Sequence, residues 1–328
     1  MNYFIWSDYL ELNNDLKYIK TQKESEKHWK NIGIKQMRLC NKLQLNVINE
    51  FGNELVCYIP YYYYLYSNNL LFDNKITTYK GMKPYYCFLD VDKYIIEKDD
   101  KRYWVNYCYR PLLVNNNEHV TNFDDNFRKI VNYKEIYKNQ EFLYEKPILI
   151  VHNKYNIEWS EKPYNFFNLE SLDKIFSTLS DKYQIIYIRP KNNIKTDYSY
   201  DENTIIDDLQ DYELIENKYK KTIITFNSIL EKYKIYSLLK KYKSYSYNNL
   251  LLKIYSNCEN YICIQGGSAY LINYFFKKML LLHIRGDEIG PNHNSYNGWF
   301  LKMNDEPNKN LTICSQNDDV SNNLKMFT

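Results

Sequence analysis

Short apolar runs alternate with amphipathic stretches along the C-terminal half of the chain. Residues 147–152 and 184–189 are short, continuous and apolar, which is typical of strands buried on both faces of a parallel sheet. Between them, residues 165–183 carry apolar side chains at helical spacing. Strand and helix keep alternating further along the chain, so this half predicts a parallel sheet with right-handed crossovers and an α/β fold.

The remainder of this half follows the same pattern. Residues 221–227 are strand-like, whereas residues 228–243 and 248–256 are helical. Residues 261–283 then predict a strand, a turn, an apolar-faced helix, a basic pair and a second strand. From residue 304 onward, an Asn-rich tail gives only weak strand and helix signals.

The N-terminal half has a less regular pattern. Residues 1–40 predict a small helical unit. Residues 43–66 predict an alternating strand, a turn at residues 52–53 and an apolar helical stretch, and residues 76–90 and 104–113 add strand-like material.

The pattern restarts near residues 144–147, which places a domain boundary there. We therefore predict a helical N-terminal unit over residues 1–40, an N-terminal α/β domain over 41–145 and a C-terminal α/β domain over 146–328. A chain of 328 residues with 45% hydrophobic and 25% charged residues has room for two such cores.

Composition and charge narrow the possible partners. The formal net charge is only +3, from 43 basic and 40 acidic side chains, so we expect no nucleic acid as partner. The 37 tyrosines fit the codon bias of an A/T-rich genome, as in some bacteria and large viruses, and the alternative is a stacking surface for sugars or bases.

Cysteine usage and hydropathy indicate the compartment. The seven cysteines are odd in number and include no CxxC motif, which favours free thiols in a reducing compartment. We find no signal-peptide pattern and no apolar run near the ~20 residues of a spanning helix. We therefore expect a cytoplasmic protein without a membrane span, in the host cell if the source is a virus.

The turn at Gly266, Gly267 and Ser268 is the strongest candidate for ligand chemistry. The glycines remove the Cβ atoms that would keep a ligand from the backbone, and Ser268 can cap the following helix. A helix start attracts anions, above all phosphate. The turn lacks both GxGxxG and the Lys-Ser/Thr of an ATPase loop, so a simple helix–sheet packing turn is the alternative.

Three charged residues follow predicted strands at the edge where α/β sheets bind ligands. Lys154 and Arg189 could neutralise a diphosphate without a metal, although each could equally form a surface charge or an ion pair. Glu288 could accept hydrogen bonds from a ribose diol, and the alternative is an acid in a surface loop.

Glu54 is the candidate catalytic acid of the N-terminal half. It follows the predicted glycine turn in the first loop, where a carboxylate facing a cleft could act as general base on a hydroxyl. The alternative is a helix N-terminal glutamate that complements the helix dipole. We find no Ser-His-Asp or Cys-His grouping in a recognisable context and no histidine spacing that suggests a metal.

Several of these segments together resemble glycosyltransferases of the GT-B fold, most closely the heptosyltransferase-like branch. Residues 51–55 and Pro60 are similar to its opening Gly-Asp pair and proline. Residues 147–189 resemble its lysine-bearing second half, and residues 258–289 resemble its glycine- or serine-bearing turn before the last strands. Residues 1–40 resemble small helical units found beside glycosyltransferases of bacteria and large DNA viruses.

The resemblance implies two Rossmann-like domains that face a cleft, with metal-independent transfer of a sugar from a nucleotide-sugar to an acceptor hydroxyl. It implies no cofactor. The nucleoside would lie near Glu288. The donor diphosphate would contact the glycine turn and a cation, namely Gly266, Gly267 and Ser268 with Lys154 or Arg189.

On the acceptor side, a glycan or glycoconjugate would enter near Gly52 and Asn53, with Glu54 as the base. Asn53 stands where the family usually has an acid, so either Glu54 takes the base role, the mechanism differs, or this copy is inactive. A sugar-nucleotide epimerase on the same fold and a non-catalytic nucleotide-sugar-binding protein are the competing hypotheses.

Overall fold

The fold is seen in a computed structural model of the chain. Three segments lie outside the residues that it describes: the predicted strand at residues 104–113, residues 191–205 and the second half of the predicted helix 228–243. It describes residues 6–33, 35–36, 38, 45–47, 49–69, 71, 74–100, 102, 128–158, 161–190, 206, 208–233, 246–288, 299–304 and 306–328.

Two parallel β-sheets organise these residues. The smaller sheet has the order β1-β2-β3 and consists of β1 (Leu45–Asn46), β2 (Ile76–Tyr79) and β3 (Ile95–Lys98). The larger sheet has the order β6-β5-β4-β7-β8-β9 and consists of β4 (Ile148–His152), β5 (Gln184–Ile188), β6 (Ile223–Thr225), β7 (Asn260–Ile264), β8 (Lys278–Leu282) and β9 (Asn310–Cys314). The predicted α/β class with parallel strands is confirmed.

Helices connect and cover these strands. In the N-terminal half they are α1 (Trp6–Leu12), α2 (Gln22–His28), α3 (Phe51–Asn53), α4 (Ile59–Ser67), α5 (Val91–Tyr94) and α6 (Tyr133–Tyr137). In the C-terminal half they are α7 (Leu169–Leu179), α8 (Asp211–Leu214), α9 (Phe226–Lys232), α10 (Tyr247–Ser256), α11 (Gly267–Ile272) and α12 (Asn317–Asn323).

The larger sheet is buried on both faces. Leu149 and Val151 of β4 belong to a core with α7, α8 and α12, whereas Ile148 and Ile150 belong to a core with α9, α10 and α11. Successive side chains of a strand point to opposite faces, so a sheet covered twice requires the continuous apolar runs seen in the sequence.

The order of the larger sheet creates a switch point between β4 and β7. From β4 the chain proceeds outward to β5 and β6, and from β7 it proceeds outward in the other direction to β8 and β9. Because connections leave these two neighbouring strands in opposite directions, their carboxyl ends correspond to the crevice at which open α/β sheets bind ligands.

A long helical segment in the N-terminal half replaces the turn predicted at residues 52–53. Gly52 and Asn53 belong to α3, which continues through a π-helical turn at Glu54–Tyr58 into α4. Glu50 is extended, and the helix begins directly after it. The wide π-helical turn precedes Pro60, whose missing N–H would leave an α-helical hydrogen bond unmade. The turn prediction was therefore wrong.

The two halves share one hydrophobic core. Buried residues of the smaller sheet and of α4 are continuous with the core beneath α9, α10 and α11. The Tyr274 hydroxyl, just after α11, donates to the backbone oxygen of Leu55 at 2.5 Å. The N-terminal helices have a separate small core of Tyr9, Leu16, Ile19 and Trp29. The domain boundaries after residues 40 and 145 remain predictions.

The sequence also predicted free cysteines and no membrane span. Five cysteines among the described residues are free, and four of them are buried. The reducing compartment inferred from them remains a prediction. In the part of the chain that the structure describes, every helix is too short or too polar to pass through a bilayer.

Candidate functional site

Lys154 and Gly266 meet at the switch point of the larger sheet. Lys154 comes two residues after β4, and its Nζ lies 3.5 Å from Oε1 of Gln265, the residue that follows β7. The Lys154 side chain also pairs with Glu158 and is 13% exposed. A positive charge is thus held at the carboxyl ends of the two central strands, at the place predicted for a diphosphate.

The backbone of Gly266 faces this charge. Its φ is +130°, a conformation that residues with a side chain rarely adopt. A Cβ atom built there would lie 3.4 Å from Lys154 Nζ, and among the described residues no other heavy atom beyond its chain neighbours lies within 4 Å of it. The glycine therefore leaves space beside the ammonium group.

Lys154, Gln265 and Gly266 together form what we call the corner. Glu288 lies on the side of this corner nearest β8. Its Oε2 lies 3.0 Å from Nε2 of His283, and its Oε1 accepts a hydrogen bond from the Gln265 side chain. Burial raises the pKa of Glu288. The hydrogen bond from His283, a backbone hydrogen bond, the charge interaction with His283 and the hydrogen bond from Gln265 together outweigh burial and hold the pKa below its ordinary value. Glu288 is therefore a carboxylate at neutral pH.

Gly286 permits this placement of Glu288. Its φ is +138°, and a Cβ atom there would overlap the Glu288 carboxylate and lie 3.2 Å from His283 Nε2. The loop after β8 therefore turns back on itself only because residue 286 is a glycine.

Asn165 joins the loops that follow β4 and β8. Its Oδ1 accepts hydrogen bonds from the backbone N–H of Ile284 at 2.8 Å and of Arg285 at 3.1 Å. Its own backbone N–H donates to Glu158 Oε2 at 2.8 Å. Because Glu158 pairs with Lys154, this amide fixes the ammonium relative to the loop after β8.

The N-terminal half reaches the same corner through the start of its long helix. A Cβ atom on Gly267 would lie 3.0 Å from Cδ1 of Phe51 and 3.7 Å from the backbone nitrogen of Gly52. Glu50 directly precedes Phe51, so it lies where the two halves meet.

The pKa of Glu50 responds to the charged groups of the corner. Burial raises the pKa of its carboxyl group, and the negative charge of Glu288 raises it further, while Lys154 and Arg102 act in the opposite direction. The side chain still reaches solvent, although surrounding protein is dense enough to disfavour its charged form. Such a combination is typical of an acid that lines a cleft.

Of the three residues predicted in the glycine turn, Gly266 faces the open space. Gly267 faces Phe51 and not a ligand position. Ser268 does not cap α11, because Gly266 occupies the cap position without a side-chain hydrogen bond. The Ser268 hydroxyl lies instead 3.1 Å from His152 Nε2, with the residue only 6% exposed.

His152 has a structural role. Its Nδ1 lies 2.8 Å from the Tyr255 hydroxyl, and its Nε2 faces Ser268. Burial and, to a smaller extent, the charge of Lys154 lower its pKa to about 3. An imidazole of such low basicity does not activate a serine at neutral pH, so this pair is no nucleophile–base arrangement.

Arg189 does not join the corner as predicted. Its Nε and Nη2 each lie 2.6 Å from one carboxylate oxygen of Asp211, and the residue is 2% exposed. Tyr187 also donates to this carboxylate. A buried guanidinium needs such a partner, so the geometry favours the ion-pair alternative.

Glu54 is fully buried, at 0% exposure, and does not face a cleft. Its Oε2 lies 2.6 Å from Nη2 of Arg102. Its Oε1 accepts hydrogen bonds from the hydroxyls of Tyr86, at 2.8 Å, and Thr78. The prediction of an exposed base failed because residue 54 lies inside a helix, one turn after the helix start, with its side chain towards the core.

Gly52 and Asn53 were predicted on the acceptor side. In the structure, they belong to α3 and contact neighbouring parts of the protein. A Cβ atom on Gly52 would lie 2.7 Å from Cδ2 of Tyr270 in α11, so the glycine allows α3 and α11 to approach closely. The Asn53 side chain donates to Oδ1 of Asn49 at 3.0 Å.

Sequence reasoning missed Glu50, Gln265 and Gly286. Gly286 had a readable signal, since a glycine two residues before a candidate ligand-binding acid often marks a turn. Glu50 could be found only by placing the helix start correctly, and Gln265 only by recognising it as the first residue after β7.

No known protein family matches the chain, and no curated protein matches it. Two solved structures are similar, both of the wall teichoic acid polymerase TagF and one of them a point variant. The variant is 11% identical with a TM-score of 0.31, and the other is 12% identical with a TM-score of 0.29. Each match covers 76% of this chain and 48% of the TagF chain, so the chain spans about half the TagF length.

Proposed function

We propose that this protein is a GT-B glycosyltransferase that transfers a sugar from a nucleotide-sugar to an acceptor hydroxyl. The observation that carries the proposal is the meeting of Lys154, Gln265 and Gly266 at the switch point between β4 and β7. The strand order β6-β5-β4-β7-β8-β9 is that of doubly wound nucleotide-binding sheets, in which ligands occupy this crevice.

The donor diphosphate would lie beside the Lys154 ammonium and the open backbone of Gly266. As the bond to the sugar breaks, negative charge accumulates on the leaving diphosphate, and a fixed cation stabilises that charge. The ionised Glu288 carboxylate would accept hydrogen bonds from the ribose hydroxyls. Gly267, Ser268 and Arg189 have no part in this arrangement.

We further propose a metal-independent reaction with a glycan acceptor in the cytoplasm. Lys154 supplies the positive charge at the diphosphate, so the transfer needs no metal and no cofactor. The acceptor is a glycan or glycoconjugate that enters from the N-terminal half, and the enzyme acts in the cytoplasm. The heptosyltransferase-like branch is the part of the GT-B group that the sequence resembles.

Calorimetric titration with UDP-, GDP-, ADP- and TDP-sugars tests this function. We expect one nucleotide class to bind, and incubation with acceptors to release free nucleoside diphosphate together with a new glycoside. Absence of binding across the panel contradicts the proposal. An isomerised donor would indicate an epimerase, and binding without turnover would indicate a non-catalytic binding protein.

A further inference from the structure

Glu50 is the acid that the N-terminal half places at the corner. It precedes Phe51, whose ring lies against Gly267, and Gly267 is adjacent to the Gly266 that faces Lys154. Its carboxyl group is close enough to Glu288 and Lys154 to respond to their charges. Glu50 thus belongs to the N-terminal segment that packs against the turn carrying Gly266.

The backbone of Glu50 is held in a fixed position. Its N–H donates to Oδ1 of the buried Asn49 at 2.8 Å, and the same oxygen accepts the side-chain amide of Asn53. Arg102 donates to the backbone oxygen of Asn49 at 3.1 Å and also pairs with the buried Glu54. This network positions the backbone and leaves the Glu50 side chain exposed.

Three other acids around the corner have hydrogen-bond or ion-pair partners. Glu54 is paired with Arg102, Glu158 with Lys154, and Glu288 accepts hydrogen bonds from His283 and Gln265. Among the described residues, no hydrogen-bond donor reaches the Glu50 carboxylate. The oxygens of this exposed carboxylate are therefore available to a substrate hydroxyl.

We propose that Glu50 is the general base of the transfer, an inference that rests on the proposed function. The acceptor oxygen forms a bond to the anomeric carbon while its proton passes to the Glu50 carboxylate. The bond between the anomeric carbon and the diphosphate oxygen breaks, and the nucleoside diphosphate leaves with the electron pair beside Lys154. Atoms and charge balance without a further reactant.

The basicity of Glu50 suits this role. Burial and the charge of Glu288 raise its pKa, and the charges of Lys154 and Arg102 only partly oppose them. A raised pKa makes the carboxylate a better proton acceptor.

The variant Glu50→Gln tests the proposal, because an amide keeps the shape of the side chain but accepts no proton. We expect donor affinity by calorimetry to stay within about threefold of the wild type, while transfer falls about 10²- to 10⁴-fold. Glu50→Asp retains a carboxylate and should keep part of the activity. Glu231→Gln, an exposed acid on α9, serves as the matched control and should transfer at the wild-type rate.

The pH profile distinguishes a base from a merely structural residue. In the wild type, kcat/KM should fall at acidic pH with an apparent pKa above that of an ordinary glutamate, and Glu50→Gln should lose this limb. Thermal melting of each variant verifies that it folds.

The possible outcomes separate the two proposals. If the wild type binds a donor and Glu50→Gln transfers sugar normally, Glu50 is not the base and the proposed function stands. If Glu50→Gln loses donor binding, the residue holds the donor and the base assignment is overturned. If the wild type binds no donor, both proposals are overturned.

Discussion

The Nζ atom of Lys154 lies 3.5 Å from Oε1 of Gln265. These residues follow β4 and β7, the adjacent strands from which the chain departs in opposite directions. This contact therefore joins the two halves of the sheet at the place where α/β folds bind ligands. It also places the Lys154 ammonium group there.

Replacing Lys154 by methionine should weaken binding of a nucleoside diphosphate about 10- to 100-fold. A charge-assisted hydrogen bond contributes about 1.5–3 kcal/mol, and each 1.4 kcal/mol corresponds to a factor of about ten in affinity. Calorimetric titration of the wild type and the variant measures this difference.

Lys220→Met is the control for this substitution. Lys220 also pairs with a glutamate four residues away, Glu216, but it lies on the surface before β6. It should bind the nucleotide as the wild type does. Equal losses in both lysine variants would mean that the effect is not local to the corner.

Gly52→Ala should disturb the contact between α3 and α11. The new Cβ atom would lie 2.7 Å from the Tyr270 ring, and overpacking of this kind costs about 1–3 kcal/mol. Alanine also favours the helix by about 1 kcal/mol, so the net loss of unfolding free energy is smaller. Urea denaturation measures it.

A double-mutant cycle identifies the source of that loss. In a Tyr270→Ala background the overlap is absent, so Gly52→Ala should become stabilising because only the helix preference remains. A destabilising effect of the same size in both backgrounds would show that Tyr270 is not the cause.

Glu54→Gln should lower the free energy of unfolding by about 3–5 kcal/mol, because it removes the negative charge from a buried ion pair with Arg102. Asp92→Asn is the control, since Asp92 pairs with Lys83 on the surface, where such pairs contribute about 1 kcal/mol or less. If Glu54→Gln melts like the wild type but abolishes transfer, the residue is catalytic and its structural assignment is wrong.

His152 should make stability depend on pH. Its pKa is about 3 in the folded state and about 6.5 when unfolded, so between these values the unfolded chain binds the extra proton. The contribution is fully present above pH 6.5 and is lost as the pH falls towards 3, at about 1.4 kcal/mol per pH unit. The difference in urea midpoint between the wild type and His152→Gln should therefore shrink from pH 7 to pH 4.5. A constant difference would contradict the assigned pKa.

The central sheet could be predicted from sequence because a strand buried on both faces leaves a continuous apolar run. β4, β5 and β7 are runs of this kind and were found. β9 gave only a weak strand signal, since an edge strand that is covered less completely tolerates the polar Asn310 and Thr312. In the sequence, a polar edge strand cannot be distinguished from a loop.

The site was predicted in part, because strand ends can be located but side-chain directions cannot. Lys154, Gly266 and Glu288 follow strands and do converge. Arg189 also follows a strand, yet its partner Asp211 comes 22 residues later, and nothing in the local pattern announces the pairing. The sequence pattern placed the helix start too late, so the predicted base was Glu54 and not Glu50, which lies one helical turn earlier.

A crystal structure of the protein with a bound nucleoside diphosphate tests the central claim most directly. We predict that the diphosphate lies within hydrogen-bond distance of Lys154 Nζ and of the Gly266 backbone, with Glu288 on the ribose side. A nucleotide bound elsewhere, with Lys154 still turned to Glu158 and Gln265, would contradict the account.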